Sequence, residues 1–459
     1  MIVHRETRIL ALITLLYLAL AVTYSFFVPL WEAPDEPSHF LYARYLAQNG
    51  CLPSPTYYAE DVAGSFEENY ILSIYEWHHP PLYYLLGALT LRAVEPQHKL
   101  SASYVFPPID HDLAYQDSLF VHQSKGPFHL GEEELGPRLL RLLSTLMGMG
   151  TIWVTYQTAR QIFPLEPLLA LAASGMVSFI PQYTFISASV NSDNLANLLS
   201  VLTLLLTVKW TTGENGYGKT LQVGLVCSLA LLSKTTTLFL IPTVCLSFAL
   251  RAKQKGSTCY FVKHGLAFLA FPLLAMGLLL ALYPRKSLWA LAVAHTESSK
   301  VNADLISLGY LCTVLTEINQ SFWARFGWMN ILIPPAIPSL LGLLGLASLI
   351  SAMVYWGRGN RERILSPTQS NSLLVLFASV LCALLALVKF NLAVFQPQGR
   401  FLFPAISAIA ILAVAGLLSP LQPRYRPLAT LVIVGGMLAF NLVCLTAYLW
   451  PVYHGWPWA

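Results

Sequence analysis

Long apolar runs separated by polar segments dominate the chain. About twenty apolar residues cross a bilayer as a helix, and runs of roughly this length occur about eleven times. The predicted spans are 8–30, 138–162, 166–184, 194–211, 219–233, 236–250, 264–283, 331–356, 372–391, 401–419 and 427–450. The fifth and sixth are short and meet at Ser233, Lys234 and Thr235, so one interrupted helix is an alternative to two spans. The pattern predicts an all-α polytopic membrane protein.

Two polar segments are longer than a connection between neighbouring helices requires. The first, 31–137, is predicted to be an outer loop with juxtamembrane helices. One such helix is expected over 40–48 with Ser38 as its cap, and the apolar stretch 80–94 is too short to cross. The second outer loop is predicted over 284–330. We predict one transmembrane domain over 1–459.

Composition supports this class. The chain is 56% hydrophobic and only 11% charged, with a mean hydropathy of +0.58, which is far more apolar than a soluble domain. The net charge of +4 is spread thinly along the chain, so no nucleic-acid partner is predicted.

Clusters of Lys and Arg fix the predicted orientation, because such residues collect on the cytoplasmic side. One cluster, Arg5 and Arg8, precedes the first span. The others follow the sixth, eighth and tenth spans: Arg251, Lys253, Lys255 and Lys263; Arg358, Arg361 and Arg363; Arg424 and Arg426. All fall on one side if the amino terminus is cytoplasmic. A cleaved signal peptide is the alternative for the first span, but its apolar core is long for one.

Ionisable residues collect on the opposite, outer face. An acidic group with a histidine follows the first span, and cations occur later in the chain. The residues are Glu32, Asp35, Glu36, His39, Glu76, His78, His79, Asp193, Lys234, Arg285, Lys286, Arg325 and Arg400. A carboxylate beside Lys or Arg suits a reaction in which a hydroxyl or amine loses a proton while a phosphate leaves.

Several short motifs on this face resemble a known family. They are Pro34-Asp35-Glu36, His79-Pro80-Pro81-Leu82-Tyr83-Tyr84 and Arg138 at the start of the second span. In this order they resemble the GT-C membrane glycosyltransferases, which include protein O-mannosyltransferases and lipid A aminoarabinose transferases. Segments 34–39, 187–194, 321–328 and 398–404 are also similar to a largely uncharacterised bacterial membrane-protein group. The resemblance implies a GT-C-like bundle in the bacterial inner membrane.

The resemblance further implies transfer of a sugar from a polyprenyl-phosphate donor to a glycan, lipid or protein acceptor at the extracytoplasmic face, with membrane lipids around the bundle. Asp35 is then the catalytic general base, and Glu36 its catalytic neighbour. The residues predicted to bind substrate are His39, His78, His79, Tyr83, Lys234, Arg325, Gln398 and Arg400. A divalent metal is an open alternative, with Asp35, Glu36 and Asp193 as candidate ligands.

The sequence departs from the family in two places. The aminoarabinose enzymes have a lysine where His78 and His79 stand here, which weakens the case for phosphate contact at that point. Asp193 has no second aspartate in a DxD arrangement, which weakens the case for an obligatory metal.

Simpler roles exist for each candidate. Asp35 and Glu36 are also suited to cap the following helix, and Asp193 to form a turn with its neighbouring asparagines. Lys234 and Arg400 are long enough to reach lipid headgroups. His78 and His79 suit packing under the loop, and Arg325 suits stacking on aromatic rings. At the level of the whole chain, a transporter or lipid-sugar flippase is the alternative function, and an inactive structural subunit is a third.

Overall fold

The computed structural model describes residues 2–53, 73–95, 106–109, 117–122, 134–213, 216–283 and 306–455. Within these ranges the fold is almost entirely helical. The first eight helices are α1 Ile2–Phe27, α2 Glu36–Asn49, α3 Leu82–Val94, α4 Leu135–Ile162, α5 Pro167–Phe179, α6 Pro181–Ser187, α7 Asp193–Thr212 and α8 Tyr217–Ser233. The others are α9 Leu240–Lys255, α10 Thr258–Leu282, α11 Leu308–Trp323, α12 Ala336–Arg361, α13 Pro367–Asn391, α14 Ile406–Leu418, α15 Arg426–Val443 and α16 Trp450–His454.

Helices lie at all eleven predicted span positions, and the predicted all-α polytopic membrane fold is confirmed. By length and composition, however, only eight of the described helices are suited to cross a membrane, or nine if the bent pair α5 and α6 forms one span. The remaining two positions hold α4 and α8. The first carries Arg138 and Arg141 near its start, and the second has only 17 residues.

Two chain breaks interrupt the helices of the bundle. Between α5 and α6 the axis bends by 64°, where Pro181 opens the second helix and supplies no backbone N–H for a continuous ladder. After α8, Lys234 is extended and is followed by a 3₁₀ turn over Thr235–Phe239. The fifth and sixth predicted spans are therefore separate helices.

Polar contacts mark the two ends of the bundle. At one end, which we call the Asp35 end, lie the residues Asp35, Asp193, Lys234 and Arg400. The opposite end, the Glu166 end, is tied by ion pairs of Glu166 with Arg426 at 2.6 Å and of Glu6 with Arg160 at 3.6 Å. Successive long helices run between these ends, as the alternation of polar segments predicts.

Several local predictions need correction. The helix expected over 40–48 begins earlier, at Glu36, and Ser38 does not cap it because the Ser38 Oγ accepts a hydrogen bond from the Glu76 backbone N–H instead. The span expected from 331 begins at Ala336. The residues before it form a two-stranded antiparallel hairpin of β1 Arg325–Phe326 and β2 Ile331–Leu332.

Candidate active site

Asp35 lies at the amino-terminal end of α2 in a left-handed conformation, with φ 66° and ψ 2°. Its Oδ2 accepts a hydrogen bond from Arg400 Nη2 at 2.5 Å, and its Oδ1 accepts one from the Tyr75 hydroxyl at 2.7 Å. No side-chain hydrogen bond caps the helix. The Asp35 side chain is 19% exposed while that of Arg400 is 2% exposed, so the carboxylate is the accessible member of a largely buried pair.

The charge state of Asp35 follows from these contacts. Burial acts to raise its pKa, but the Arg400 guanidinium and the nearby His39 act in the opposite direction, as do the hydrogen bonds from Arg400 and Tyr75. The net result is a pKa of about 2. Asp35 is therefore a carboxylate at neutral pH.

A second ion pair lies beside the first. The Lys234 ammonium donates to Asp193 Oδ1, and Arg400 Nε lies 3.8 Å from Asp193 Oδ2. Arg400 Nε also donates to Gln398 Oε1 at 2.6 Å. Two aspartates and two cations thus alternate in one buried group, which we call the charged cluster: Asp35, Asp193, Lys234 and Arg400.

Two atoms of the charged cluster lack a hydrogen-bond partner among the described residues. Arg400 Nη1 and Asp193 Oδ2 are buried and make no hydrogen bond to any residue that the structure describes. The Phe401 ring lies next to both cations, with its centroid 5.2 Å from Lys234 Nζ and 5.3 Å from Arg400 Cζ. A buried donor without a partner is costly, and Arg400 Nη1 is accordingly the strongest candidate in the cluster for binding an anion.

The chain breaks place these residues. Lys234 occupies the extended link after α8, and Asp193 opens α7, where its backbone N–H donates to Asn191 Oδ1 at 2.8 Å. The Asn194 amide donates to the carbonyl groups of Ile186, Ser189 and Asn191. The asparagines therefore form the predicted turn, which leaves the Asp193 carboxylate directed at Lys234.

Arg400 belongs to the 3₁₀ turn Gly399–Ala405. The Gly399 backbone N–H donates to the Ser321 Oγ of α11 at 2.8 Å. A side chain at Gly399 would overlap the backbone of Ile318 and Phe322, so only glycine permits this close approach. The contact fixes the guanidinium of Arg400 against Asp35.

Glu36 takes a different position from its neighbour. Its buried carboxylate pairs with Arg141 through two hydrogen bonds, from Nε at 2.7 Å and from Nη2 at 2.6 Å. It also accepts from the backbone N–H groups of Trp31 and Val190 at 2.8 and 2.9 Å. Four donors thus engage its two oxygens, which favours a positioning role over the catalytic role predicted from sequence.

Arg141 connects Glu36 to the first span. Its guanidinium also donates to carbonyl groups near the end of α1, those of Ser25, Val28 and Pro29, at 2.8 to 2.9 Å. These groups have no partner within the helix itself. Arg141 therefore holds the end of α1 and the start of α2 together, and with them the peptide that carries Asp35.

Histidines and tyrosines form a second group beside Asp35. His39 Nδ1 lies 2.8 Å from the Tyr84 hydroxyl, which also lies 3.3 Å from His79 Nδ1. Burial lowers the pKa of His39 to about 4, so its ring is neutral at pH 7. Glu76 Oε2 lies 2.6 Å from His79 Nε2, and His78 Nδ1 lies 3.1 Å from the Tyr75 carbonyl oxygen.

Two predicted substrate-binding residues have other contacts. The Tyr83 hydroxyl is fully buried, where it lies 2.9 Å from Ser144 Oγ and accepts from the Asn191 backbone N–H. Arg325 pairs with Glu317 and donates to the Met329 carbonyl at 2.7 Å. These contacts favour structural roles for both residues, Tyr83 beneath the Asn191 turn and Arg325 in the β hairpin.

The metal ligands predicted from sequence, Asp35, Glu36 and Asp193, do not face a common point in a form suited to a cation. Each carboxylate is already paired with Arg400, Arg141 or Lys234 respectively. Among the described residues two other groups bring three candidate ligand atoms within 4.8 Å of one another. They are Glu76, His78 and His79, and Asp35, His39 and Glu76.

Sequence reasoning missed three residues of the site. Tyr75 binds Asp35, Tyr84 joins two histidines, and Arg141 pairs with Glu36. Arg141 carried a detectable signal, because an arginine within the first turns of an apolar span needs a partner. Tyr84 belongs to the motif that begins at His79, although no role was assigned to it. Tyr75 carried no signal, since aromatic residues are common at a membrane interface.

Comparison with known proteins supports the resemblance inferred from the motifs. Residues 135–279, less than half of the chain, match the family described as dolichyl-phosphate-mannose-protein mannosyltransferase. The predicted resemblance to the protein O-mannosyltransferases is confirmed. No curated protein matches the chain.

Solved structures give a weaker likeness. ArnT from Cupriavidus metallidurans bound to undecaprenyl phosphate aligns at 14% identity with a TM-score of 0.49, covering 94% of this chain and 63% of ArnT. An oligosaccharyltransferase from Archaeoglobus fulgidus in complex with zinc and sulfate aligns at 14% identity with a TM-score of 0.48, covering 97% and 52%. The chain thus spans between half and two thirds of the length of these two proteins.

Proposed function

We propose that this protein is a membrane glycosyltransferase that moves a sugar from a polyprenyl-phosphate donor to a glycan, lipid or protein acceptor. The match to a mannosyltransferase family supports this class of donor. The observation that carries the proposal is the charged cluster, in which an accessible carboxylate adjoins a buried arginine with an unpartnered donor. The Lys and Arg clusters at the Glu166 end favour an extracytoplasmic site at the Asp35 end.

Arg400 and Lys234 are assigned to the phosphate of the donor. The unpartnered Nη1 of Arg400 offers a hydrogen bond to a phosphate oxygen without breaking its contacts to Asp35 and Gln398. The Lys234 ammonium has three donor hydrogens and contributes a second positive charge. Both cations are buried, so their attraction for the leaving phosphate exceeds what they would supply in water.

Asp35 is assigned the role of general base. A hydroxyl or amine of the acceptor transfers its proton to Asp35 as the acceptor atom forms a bond to the anomeric carbon of the sugar. The bond from that carbon to the phosphate oxygen breaks, and polyprenyl phosphate leaves with the bonding electrons. The proton then passes from Asp35 to solvent, which restores the carboxylate.

The ion pair with Arg400 makes Asp35 a weak base when no donor is bound, because its pKa is only about 2. A phosphate beside Arg400 adds negative charge near Asp35 and shares the guanidinium, and both effects raise the pKa of Asp35. A base of higher pKa accepts a proton more readily in the transition state. Binding of the donor therefore prepares Asp35 for the acceptor.

The test is transfer by purified protein in lipid nanodiscs, with a set of polyprenyl-phosphate sugars and an extract of membrane acceptors. Asp35→Asn keeps the size of the side chain but removes the base. We expect it to lower the transfer rate by about 100-fold or more, the usual contribution of general base catalysis. Asp117→Asn is the matched control, because Asp117 is exposed on the same predicted loop, and it should leave the rate unchanged.

Full transfer by Asp35→Asn, with Asp117→Asn equally active, would disprove the assignment of the base. The transporter alternative predicts a different result: wild-type protein moves the lipid-linked sugar between leaflets, and no sugar reaches an acceptor. Measuring both leaflet exchange and product formation on one sample separates the two functions.

A further inference from the structure

The segment from Tyr75 to His79 concentrates metal-ligating side chains in a single turn. Glu76 and His78 lie in a short 3₁₀ helix, and His79 directly follows it. One ligand atom from each of the three side chains lies within 4.8 Å of the other two. Glu76 Oε2 is buried and makes no hydrogen bond to a described residue, although His79 Nε2 is 2.6 Å away. A buried carboxylate needs a positive partner, which either a protonated His79 or a metal ion bound by these side chains supplies.

The histidine rings are oriented as metal ligands require. His78 Nδ1 lies 3.1 Å from the Tyr75 carbonyl oxygen, which only accepts, so Nδ1 carries the proton and Nε2 presents its lone pair. His79 Nδ1 lies 3.3 Å from the Tyr84 hydroxyl, which leaves Nε2 directed toward Glu76. Partners of this kind at the second ring nitrogen are typical of histidines that bind metal.

The backbone of the turn is held before any ligand binds. The Glu76 N–H donates to Ser38 Oγ at 3.0 Å, and the hydroxyl groups of Tyr42 and Tyr283 donate to the His79 carbonyl at 3.3 and 3.0 Å. Helix α2 and Tyr283, the residue that follows α10, thus both contact the turn. Such support lowers the cost of arranging the ligands around an ion.

The size of the group also fits a small ion. Ligand atoms about 2.1 Å from a tetrahedral zinc are about 3.4 Å apart. The spacing between Glu76 and His79 is shorter than this value, while no separation within the group exceeds 4.8 Å. Side-chain movements of about 1 Å are therefore enough to enclose zinc.

The overlapping group of Asp35, His39 and Glu76 is a weaker candidate. Both Asp35 oxygens already accept hydrogen bonds, and one of them comes from the Arg400 guanidinium at 2.5 Å. A permanent positive charge at that distance opposes a divalent cation on the same carboxylate. Glu76 is in direct contact with His79, at 2.6 Å, whereas the positive charge of Arg400 acts on Glu76 only through space.

We propose that Glu76, His78 and His79 bind one zinc ion. One carboxylate and two imidazoles are a donor set that zinc prefers, and three protein ligands leave a position for an oxygen ligand such as water or phosphate. The site lies next to the Asp35 carboxylate, to which Tyr75 of the same turn donates. It does not depend on the glycosyl transfer proposed above, since binding is measured without any sugar substrate.

The experiment measures zinc binding by the full-length protein in detergent after removal of metals with a chelator. A chromophoric zinc indicator gives the stoichiometry and affinity, and X-ray absorption gives the ligand types. We expect one zinc per chain with two imidazole ligands in the wild type. Glu76→Gln and His78→Ala should each weaken binding at least about tenfold.

Two matched variants make the result specific. His454→Ala removes a histidine that is bonded to the Phe27 carbonyl at the Asp35 end, and it should bind zinc like the wild type. Asp35→Asn should also retain the site. Loss of zinc in Asp35→Asn with full binding by His78→Ala would overturn the proposal in favour of the other group.

Wild-type protein that binds no zinc, or that binds it without imidazole ligands, would also overturn the proposal. The X-ray absorption measurement uses only the wild type, so a variant that fails to fold does not prevent a decision. Zinc that binds as expected while sugar transfer fails would leave the site standing and refute the proposed function alone.

Discussion

At the scale of single residues, adjacent acids have opposite environments. Asp35 is partly exposed and faces Arg400, whereas Glu36 is buried and has four donors around its two oxygens. Successive residues at the start of a helix point in different directions, so one acid reaches the site and the other reaches the interior. The two carboxylates are therefore not equivalent: Glu36 is an anchor, and Asp35 is the one accessible for the role of base proposed above.

This difference predicts the effect of Glu36→Gln. The substitution leaves Arg141 as a buried charge without a counterion, which typically costs about 3 to 5 kcal/mol of unfolding free energy. Chemical unfolding in detergent micelles measures the loss. Glu134→Gln is the matched control, because the Glu134 side chain is 29% exposed in its pair with Arg138 and such pairs contribute less than about 1 kcal/mol.

Equal stability of the two variants would contradict the anchoring role of Glu36. Transfer activity supplies a second comparison: the folded fraction of Glu36→Gln should retain far more activity than Asp35→Asn, because Glu36 does not contact the substrate in this assignment.

At the scale of elements, the turn Gly399–Ala405 places Arg400, the cation proposed to bind phosphate, and the first residue of the turn is the critical one. A methyl group at Gly399 would overlap the backbone of α11 at Ile318 and Phe322. Backbone atoms cannot rotate aside as a side chain can, so Gly399→Ala must displace the turn and with it Arg400. We expect a loss of about 1 to 3 kcal/mol in stability together with a raised KM for the lipid-phosphate donor.

Gly435→Ala is the matched control for this prediction. Gly435 lies within α15, and an added methyl group there meets no atom within 4 Å. Alanine is favoured over glycine inside a helix by about 1 kcal/mol, so the control should be neutral or slightly more stable. A Gly399→Ala protein with unchanged donor KM would show that the turn does not set the position of Arg400.

The elements also show which parts of the fold the sequence predicts. Apolar length places a helix at each of the eleven predicted spans, since each is defined by its own residues. It does not place α11, which lies within the predicted outer loop 284–330. The start of α2 at Glu36 depends on a distant partner, because Ser38 is engaged by Glu76 rather than by its own helix. The hairpin before α12 has only two residues per strand, too few for an alternating pattern to be detected.

The candidate site likewise contains residues that the local sequence reveals and residues that depend on distant partners. Lys234 and Arg400 stand out in sequence as charges beside apolar runs, and the structure brings both to Asp35 and Asp193. Tyr75 is 40 positions from its partner Asp35, and Arg141 is 105 positions from its partner Glu36. The first pairing forms only when the 3₁₀ helix Tyr75–His78 packs on α2, and the second only when α4 packs on α1 and α2. No local sequence pattern therefore predicts either pairing.

At the scale of the whole molecule, the remaining prediction is orientation, which rests on Lys and Arg clusters at the Glu166 end. Two exposed cysteines mark the two ends: Cys51 follows α2, and Cys259 begins α10 beside Lys255. Variants that each keep one cysteine should react differently with a membrane-impermeant maleimide. In intact spheroplasts Cys51 should be labelled and Cys259 should not, while permeabilisation should expose both.

A variant that keeps only Cys227 is the negative control. Cys227 is fully buried, so it should stay unlabelled until denaturant is added. Labelling of Cys259 alone in intact spheroplasts would place Asp35 on the cytoplasmic side. The clusters of Arg and Lys at the Glu166 end would then need another explanation. Labelling of Cys51 alone would place the charged cluster at the extracytoplasmic face. The proposed transfer requires this location, because its polyprenyl-phosphate donor and its acceptor are expected to meet there.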